Sequence, residues 1–213
     1  MAGGTKERIM ETALELFAQS GYLGTSMNDI AKQLGITKAA LYKHYNSKQE
    51  ILNRIVEQMN ETDYERAKEY EMPETEPESF AEAYLHTSIE KIRMYSMAQF
   101  RHWTEEKFSS CFRKMLTLEQ YRDPDLSKLY QNYLATGPLN YMSAIFRKMT
   151  NSDEMAKQLA LEFYGPIFFL YSVYDAADNK AQVFDMLEMH IERFISQIEL
   201  IRGKTVENIV EEK

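Results

Sequence analysis

The sequence predicts an all-α protein: an N-terminal three-helix unit containing a helix-turn-helix, followed by a longer helical region, about nine helices in all. Three observations predict it. Apolar residues recur three and four apart through almost every segment, prolines are few, and no alternating apolar run is bounded by turn residues. With 213 residues, 44% apolar and 27% charged, the chain has ordinary globular composition and enough length for a substantial core.

The elements follow in order. Ile9, Ala13, Leu16 and Phe17 stripe a first helix, which Gly21 ends. Ser26 with Asp29 three residues on reads as an N-cap opening a short second helix through Ile30, Ala31 and Leu34, and Gly35 stops it. Thr37 caps a third helix through Leu41 and Tyr45, and Ser47 with Glu50 forms a capping box for a fourth that runs toward Tyr70. The stretch MPETEPE, residues 72–78, is a loop before a fifth helix near Phe80 to Tyr95. A sixth covers Phe100 to Ser109. Asp123 as N-cap with Pro124 at the first helical position starts a long helix, kinked at Gly137-Pro138, that ends near Met149. Another helix spans Asn151 to Tyr174 with a kink at Gly165-Pro166, and the last runs from Val183 to Ile201, closed by Gly203. These elements divide into residues 1–48, 49–202 and a frayed acidic tail, 203–213.

Charge and cysteine content narrow the function classes. The net charge is −8, which argues against a nucleic-acid partner until its distribution is read. Residues 1–48 hold six Lys/Arg and four acids, four of those bases lying between Lys32 and Lys48, a stretch without an acid. Cys111 is the only cysteine, so neither a disulfide framework nor a four-cysteine zinc site is available. The N-terminal stripe carries acids and no run reaches the length of a membrane span, so a soluble cytoplasmic protein without membrane contact is expected.

Short helices joined at Gly35 make a helix-turn-helix, with Ala31 small where the two helices pack, Gly35 where positive φ is required and Leu41 turned inward. That geometry leaves Lys38, Ala39, Tyr42 and Lys43 outward, and Thr37 at the start of the same helix is a further DNA-contact candidate. Lys38 suits guanine O6 or N7, and Ala39 and Ala40 suit thymine methyls or close backbone approach. Tyr42 and His44 can donate to phosphate, as can Lys48 in the first turn of the fourth helix and Thr25 and Ser26 at the second. Tyr45, four residues after Leu41, reads as core.

A single recognition helix contacts too few base pairs to select a site, so dimerisation over half-sites roughly 34–36 Å apart is expected. The last two helices supply the surface: Leu159, Phe163, Ile167, Leu170 and Tyr174 on one, Val183, Leu187, His190, Phe194 and Ile198 on the other, with Ile191 and Ile195 widening the second stripe beyond what one core needs. Aromatic residues are dense between Phe80 and Tyr174.

"LFAQSGYLGTSMNDIAKQLG" followed by "ITKAALYKHYNSKQEIL" resembles the TetR family of bacterial transcriptional regulators over roughly the first 50 residues, and "EFYGPIFFLY" is consistent with it further on. The resemblance implies a repressor that binds double-stranded DNA as a homodimer, with Asn28, Lys38, Ala39, Ala40 and Lys43 at base-reading positions and Thr25, Ser26, Tyr42, His44 and Lys48 at phosphate-holding ones. It also implies a small-molecule effector held among the middle helices and no other cofactor. Tyr84, His86, Phe100, His102, Trp103, Phe112, Tyr133, Tyr141 and Phe163 are the pocket candidates. The effector would shift the dimer between DNA-competent and DNA-incompetent states by its differential affinity.

Two rival readings remain. His102 with Glu105 and Glu106, and His86 with Glu90, have minimal metal-pair spacing on a helix, but no third ligand, phosphate loop or catalytic nucleophile motif accompanies them. A protein–protein adaptor is the other.

Overall fold

The computed structural model describes residues 4–69, 89–150 and 152–211. Among them every regular element is an α-helix: α1 (Thr5–Ser20), α2 (Met27–Gln33), α3 (Lys38–Tyr42), α4 (Lys48–Glu69), α5 (Ile89–Thr104), α6 (Lys107–Glu119), α7 (Pro124–Leu134), α8 (Thr136–Thr150), α9 (Asp153–Ala176) and α10 (Lys180–Glu211). No described helix is long and apolar enough to cross a membrane.

Packing separates the chain into two compact units, one of residues 1–69 with 105–133 and the other of 70–104 with 134–213. The division differs from a cut after residue 48, because α6 lies along α1 while α4 packs on α1 as well. In the first unit Ile9, Ala13 and Phe17 of α1, Ile30 of α2, Leu41 of α3, Ile51, Ile55 and Met59 of α4, and Phe112, Met115 and Leu116 of α6 are fully buried. Each large side chain so buried contributes about 1.5–3 kcal/mol, which is what makes helices as short as α2 and α3 persist. In the second unit α9 packs on α8, α10 and α5, and α10 packs on α5.

Several boundaries correct the sequence reading. The helix expected over Phe100 to Ser109 is interrupted: α5 ends at Thr104 and α6 begins after Glu106, whose backbone is extended (φ −71°, ψ 120°). The helix expected from Asp123 to Met149 is two helices, because the chain breaks at Ala135 and Pro138 falls in the first turn of α8, where a missing N–H is harmless. Pro166 does sit inside α9, which continues through it. Gly203 does not close the last helix, which runs on to Glu211; a glycine inside a helix costs about 1 kcal/mol but does not forbid it. The loop at residues 72–78 and the start of the expected fifth helix lie outside the described residues.

Candidate nucleic-acid interface

The helix-turn-helix is built by side chains satisfying the free ends of short helices. Ser26 Oγ accepts from the Asp29 N–H at 3.2 Å, and the Asp29 carboxylate accepts from the Ser26 N–H at 2.9 Å and from its hydroxyl at 2.5 Å. Those bonds, the hydroxyl's first, hold the Asp29 carboxyl below the usual carboxylate range. Thr37 Oγ1 accepts from the Ala40 N–H at 3.1 Å, capping α3. Ser47 Oγ accepts from the Glu50 N–H at 3.1 Å, and the Glu50 carboxylate reaches one residue further than a capping box requires, to the Asn46 N–H at 2.7 Å. Gly35 has φ +66° and open space where a Cβ would lie, so conformation, not crowding, explains glycine there.

Ala31 is buried against α3, Leu41 is fully buried, and Tyr45 is buried with its hydroxyl donating to the Lys6 carbonyl at 3.3 Å. Around that inward face Thr37, Lys38, Ala39, Tyr42 and Lys43 are exposed, Ala40 and His44 partly so, and Ser26 and Asn28 are exposed on α2. Tyr42 is 42% exposed, and the Lys38 ammonium lies 5.8 Å from its ring centroid. One solvent-facing surface thus collects two lysines, an aromatic hydroxyl and two small residues.

Two residues expected on that surface point elsewhere. Thr25 is 3% exposed and its hydroxyl donates to the Gly21 carbonyl at 2.9 Å, closing the turn between α1 and α2. Lys48 Nζ donates to the Tyr22 and Thr25 carbonyls at 2.5 and 2.7 Å. Burial pushes its ammonium below the ordinary lysine value, while Glu119 nearby pulls the other way. Sequence reasoning also missed Glu119 itself, the last residue of α6 and fully buried, and the buried Arg113.

The expected dimer residues are corrected by burial. Leu159, Phe163, Ile167, Leu170, Tyr174, Val183, Leu187 and Phe194 are core of the second unit, each 9% exposed or less. His190 Nε2 lies 2.8 Å from the Phe163 carbonyl, which can only accept, so that nitrogen carries the proton. Ile198 is half-buried. The outward faces of α9 and α10 instead carry Leu161, Phe168 and Phe169, and Met186 and Met189, with Phe169 64% and Met189 65% exposed. Apolar residues surround α9 nearly all round, so sequence period alone does not separate the stripe facing its own core from the outward one.

The pocket candidates do not form one cluster. Tyr84 and His86 lie outside the described residues. Phe112 and Tyr133 belong to the first unit, their rings 5.0 Å apart, and the Tyr133 hydroxyl donates to Asn60. In the second unit Phe100 stacks on Tyr171 at 5.3 Å with Tyr174 and Phe184 edge-on, whereas Phe163 meets Phe194 at 4.9 Å and Phe146 at 6.4 Å. His102 and Trp103 are buried, and Tyr141 is 40% exposed. The helix that would align His102 with Glu105 stops at Thr104, and among the described residues no three potential metal ligands gather.

Comparison with known proteins agrees with this geometry. Residues 9–55 match the family described as bacterial regulatory proteins, tetR family. The biofilm operon icaADBC HTH-type negative transcriptional regulator IcaR of Staphylococcus epidermidis is 46% identical over 52 residues, 24% of this chain and 28% of that protein. Its Staphylococcus aureus (strain Newman) counterpart is 45% identical over 51 residues, 24% of this chain and 27% of that one. The match therefore spans under a third of these relatives' length. Among solved structures, a transcriptional regulator from Aquifex aeolicus VF5 superposes with TM-score 0.61 at 22% identity over 89% of this chain and 98% of that one. A TetR-family regulator from Bordetella parapertussis 12822 gives TM-score 0.62 at 21% identity over 89% and 93%. At such identities the superpositions establish the fold.

Proposed function

Because this chain belongs, through its residues 9–55, to the tetR family of bacterial regulatory proteins, we propose that it is a ligand-responsive transcriptional regulator that binds a two-fold-related DNA operator as a homodimer. The observation that carries this reading is the α2–turn–α3 unit, in which a buried Leu41 turns Lys38, Ala39, Tyr42 and Lys43 to solvent. Lys38, Lys43, Asn28, Ala39 and Ala40 meet base edges, and Ser26, Thr37, Tyr42 and His44 hold the backbone. Repression is the favoured sign, since the IcaR proteins that share this head are named negative regulators. Functionally, residues 1–48 engage DNA and 49–202 serve the effector and the dimer, although packing joins 105–133 to the head.

The dimer face is the outward apolar surface of α9 and α10, with Leu161, Phe168, Phe169, Met186 and Met189. Phe169→Glu with Met189→Glu then yields a monomer by sedimentation velocity; a dimer that survives both charges would remove this surface. The effector is a small molecule bound in the aromatic interior of the second unit, where Phe100, His102 and Trp103 lie. The reading needs no metal or catalytic group.

Binding to the DNA flanking the protein's own gene, at low and moderate salt, tests the proposal. Tight, salt-sensitive and sequence-preferring binding that Tyr42→Ala/Lys43→Ala weakens supports it. Failure there and in a selection from random sequences sinks it. A salt-insensitive protein partner, bound equally by the double variant, would favour the adaptor reading.

A further inference from the structure

Lys48 opens α4, at a helix start where a cation would be free to meet a phosphate, yet its side chain turns back into the first unit. Both of its short hydrogen bonds go to carbonyls of the α1–α2 turn, Tyr22 at 2.5 Å and Thr25 at 2.7 Å, and its ammonium lies 4.2 Å from the Tyr22 ring centroid. The next residue supports the same turn, Gln49 Oε1 accepting from the Tyr22 hydroxyl at 3.0 Å.

From the other side the turn is held by Glu119. This carboxylate at the end of α6 is fully buried, and Oε1 accepts from the Leu23 N–H at 3.2 Å. Its second oxygen is buried without a hydrogen-bond partner. A buried carboxylate is tolerated when cations lie near it: the Glu119 charge acts on the Lys48 ammonium, and Arg122 Nη1 stands beside the same space over Gly21. Gly21 makes the approach possible: with φ +80° and no side chain, it leaves the space that Glu119 Oε1 occupies. The turn is therefore gripped between a lysine of α4 and a glutamate of α6, directly before the N-cap of α2.

We propose that Lys48 and Glu119 are positioning residues for DNA recognition, clamping residues 21–25 so that Ser26 is presented to the DNA backbone and Asn28 to the base edges at a fixed height, and that Lys48 acts through this turn and not on a phosphate. The proposal rests on the regulator reading above. A phosphate contact by Lys48 would require breaking its two charge-assisted bonds to the turn. The Glu119 carboxylate therefore links the C-terminus of α6 directly to the turn, beside the packing of α6 along α1.

The test uses Lys48→Met and Glu119→Gln in the full chain, which remove the clamp from opposite sides, with Lys128→Ala, an exposed surface substitution, as control. Amide hydrogen exchange is followed across residues 20–45 without DNA, and operator affinity is measured over a salt series well below each variant's melting temperature. The expected result is exchange at Leu23 and Thr25 faster by about tenfold or more in both variants, with α3 unchanged. Affinity falls by about fivefold or more, while the slope of log affinity against log salt stays at the wild-type value. A slope shallower by about one per half-site in Lys48→Met would make Lys48 a phosphate contact and overturn the proposal. Unchanged exchange in the turn, or unchanged affinity, would overturn it as well. Should the wild-type protein bind no DNA, the regulator reading falls, and the exchange measurement alone decides whether the clamp exists.

Discussion

Two lysines, Lys48 and Lys180, each open a helix and each turn back onto backbone carbonyls, but they do so over different reaches. Lys180 donates to the Tyr174 and Asp175 carbonyls, at the end of the helix just before its own, and lies 4.7 Å from the Tyr174 ring centroid. It is a local C-terminal cap, favoured by the negative end of the α9 dipole. Lys48 reaches back beyond α2 and α3 to a turn that a third helix also holds. The same side chain in the same helical position thus serves one corner in the second unit and the register of several elements in the first.

The contrast extends to how each unit is held. Residues 21–50 contain helices of 7 and 5 residues, too short to persist by propensity, and nearly every corner there is closed by a side chain bonded to backbone. The second unit has helices of 24 and 32 residues and is joined by aromatic rings in contact, stacked at Phe100 and Tyr171 and tilted at Phe163 and Phe194. Polar closure fixes the corners of the first unit, whereas buried rings knit the helices of the second.

The largest effect should come from a ring. Phe100→Ala, which removes a fully buried side chain stacked on Tyr171, is expected to cost about 3–5 kcal/mol in urea denaturation; a loss below about 1 kcal/mol would refute ring packing as the basis of this unit. Next is Gly35→Ala, which forces an L-residue to φ +66° and should cost about 1–2 kcal/mol. Ser26→Ala should cost about 1 kcal/mol by losing the cap of α2, and its DNA affinity should fall further than its stability implies if polar closure sets geometry. Lys180→Met should cost only about 0.3–1 kcal/mol and leave operator binding at the wild-type level; a loss of binding would erase the distinction between the two corners.

A further effect, separate from this ranking, is read by pH. Burial, with Asp63 adding to it, pushes the Tyr133 hydroxyl up to about 12. A group whose folded value lies above its unfolded one contributes stability that is intact below the unfolded value, near 10 for tyrosine, and is lost as pH rises toward the folded one. Wild-type stability should therefore decline between about pH 10 and 12 more steeply than that of Tyr133→Phe. Parallel curves would show that Tyr133 ionises alike in both states.

The head was legible in the sequence because its signals are local. Ser26 with Asp29, Thr37, Ser47 with Glu50, and Gly35 each announce a helix end within four residues, and each end is found there. Elsewhere the deciding contacts are distant in sequence. α6 was missed because Ser109, Ser110, Arg113 and Glu119 are buried beside Phe112, Met115 and Leu116, which blurs the apolar period, and because the break at residues 105–106 carries neither glycine nor proline. The outward face of α9 was misassigned because apolar residues lie all round it, so only packing separates Phe163 from Phe169. The inward direction of Lys48 depends on carbonyls more than twenty residues back.

Lineage drift at position 21 is governed from far along the chain. Any side chain there would stand where the Glu119 carboxylate already is, on a backbone at φ +80° that disfavours one anyway. Change Glu119 first, and the Leu23 N–H loses its acceptor while Gly21 keeps an unused vacancy. Each single change disturbs the same turn, so the two positions are energetically coupled. A double-mutant cycle at 21 and 119 should therefore show losses of stability that do not add, tying a backbone turn in the head to the far end of α6.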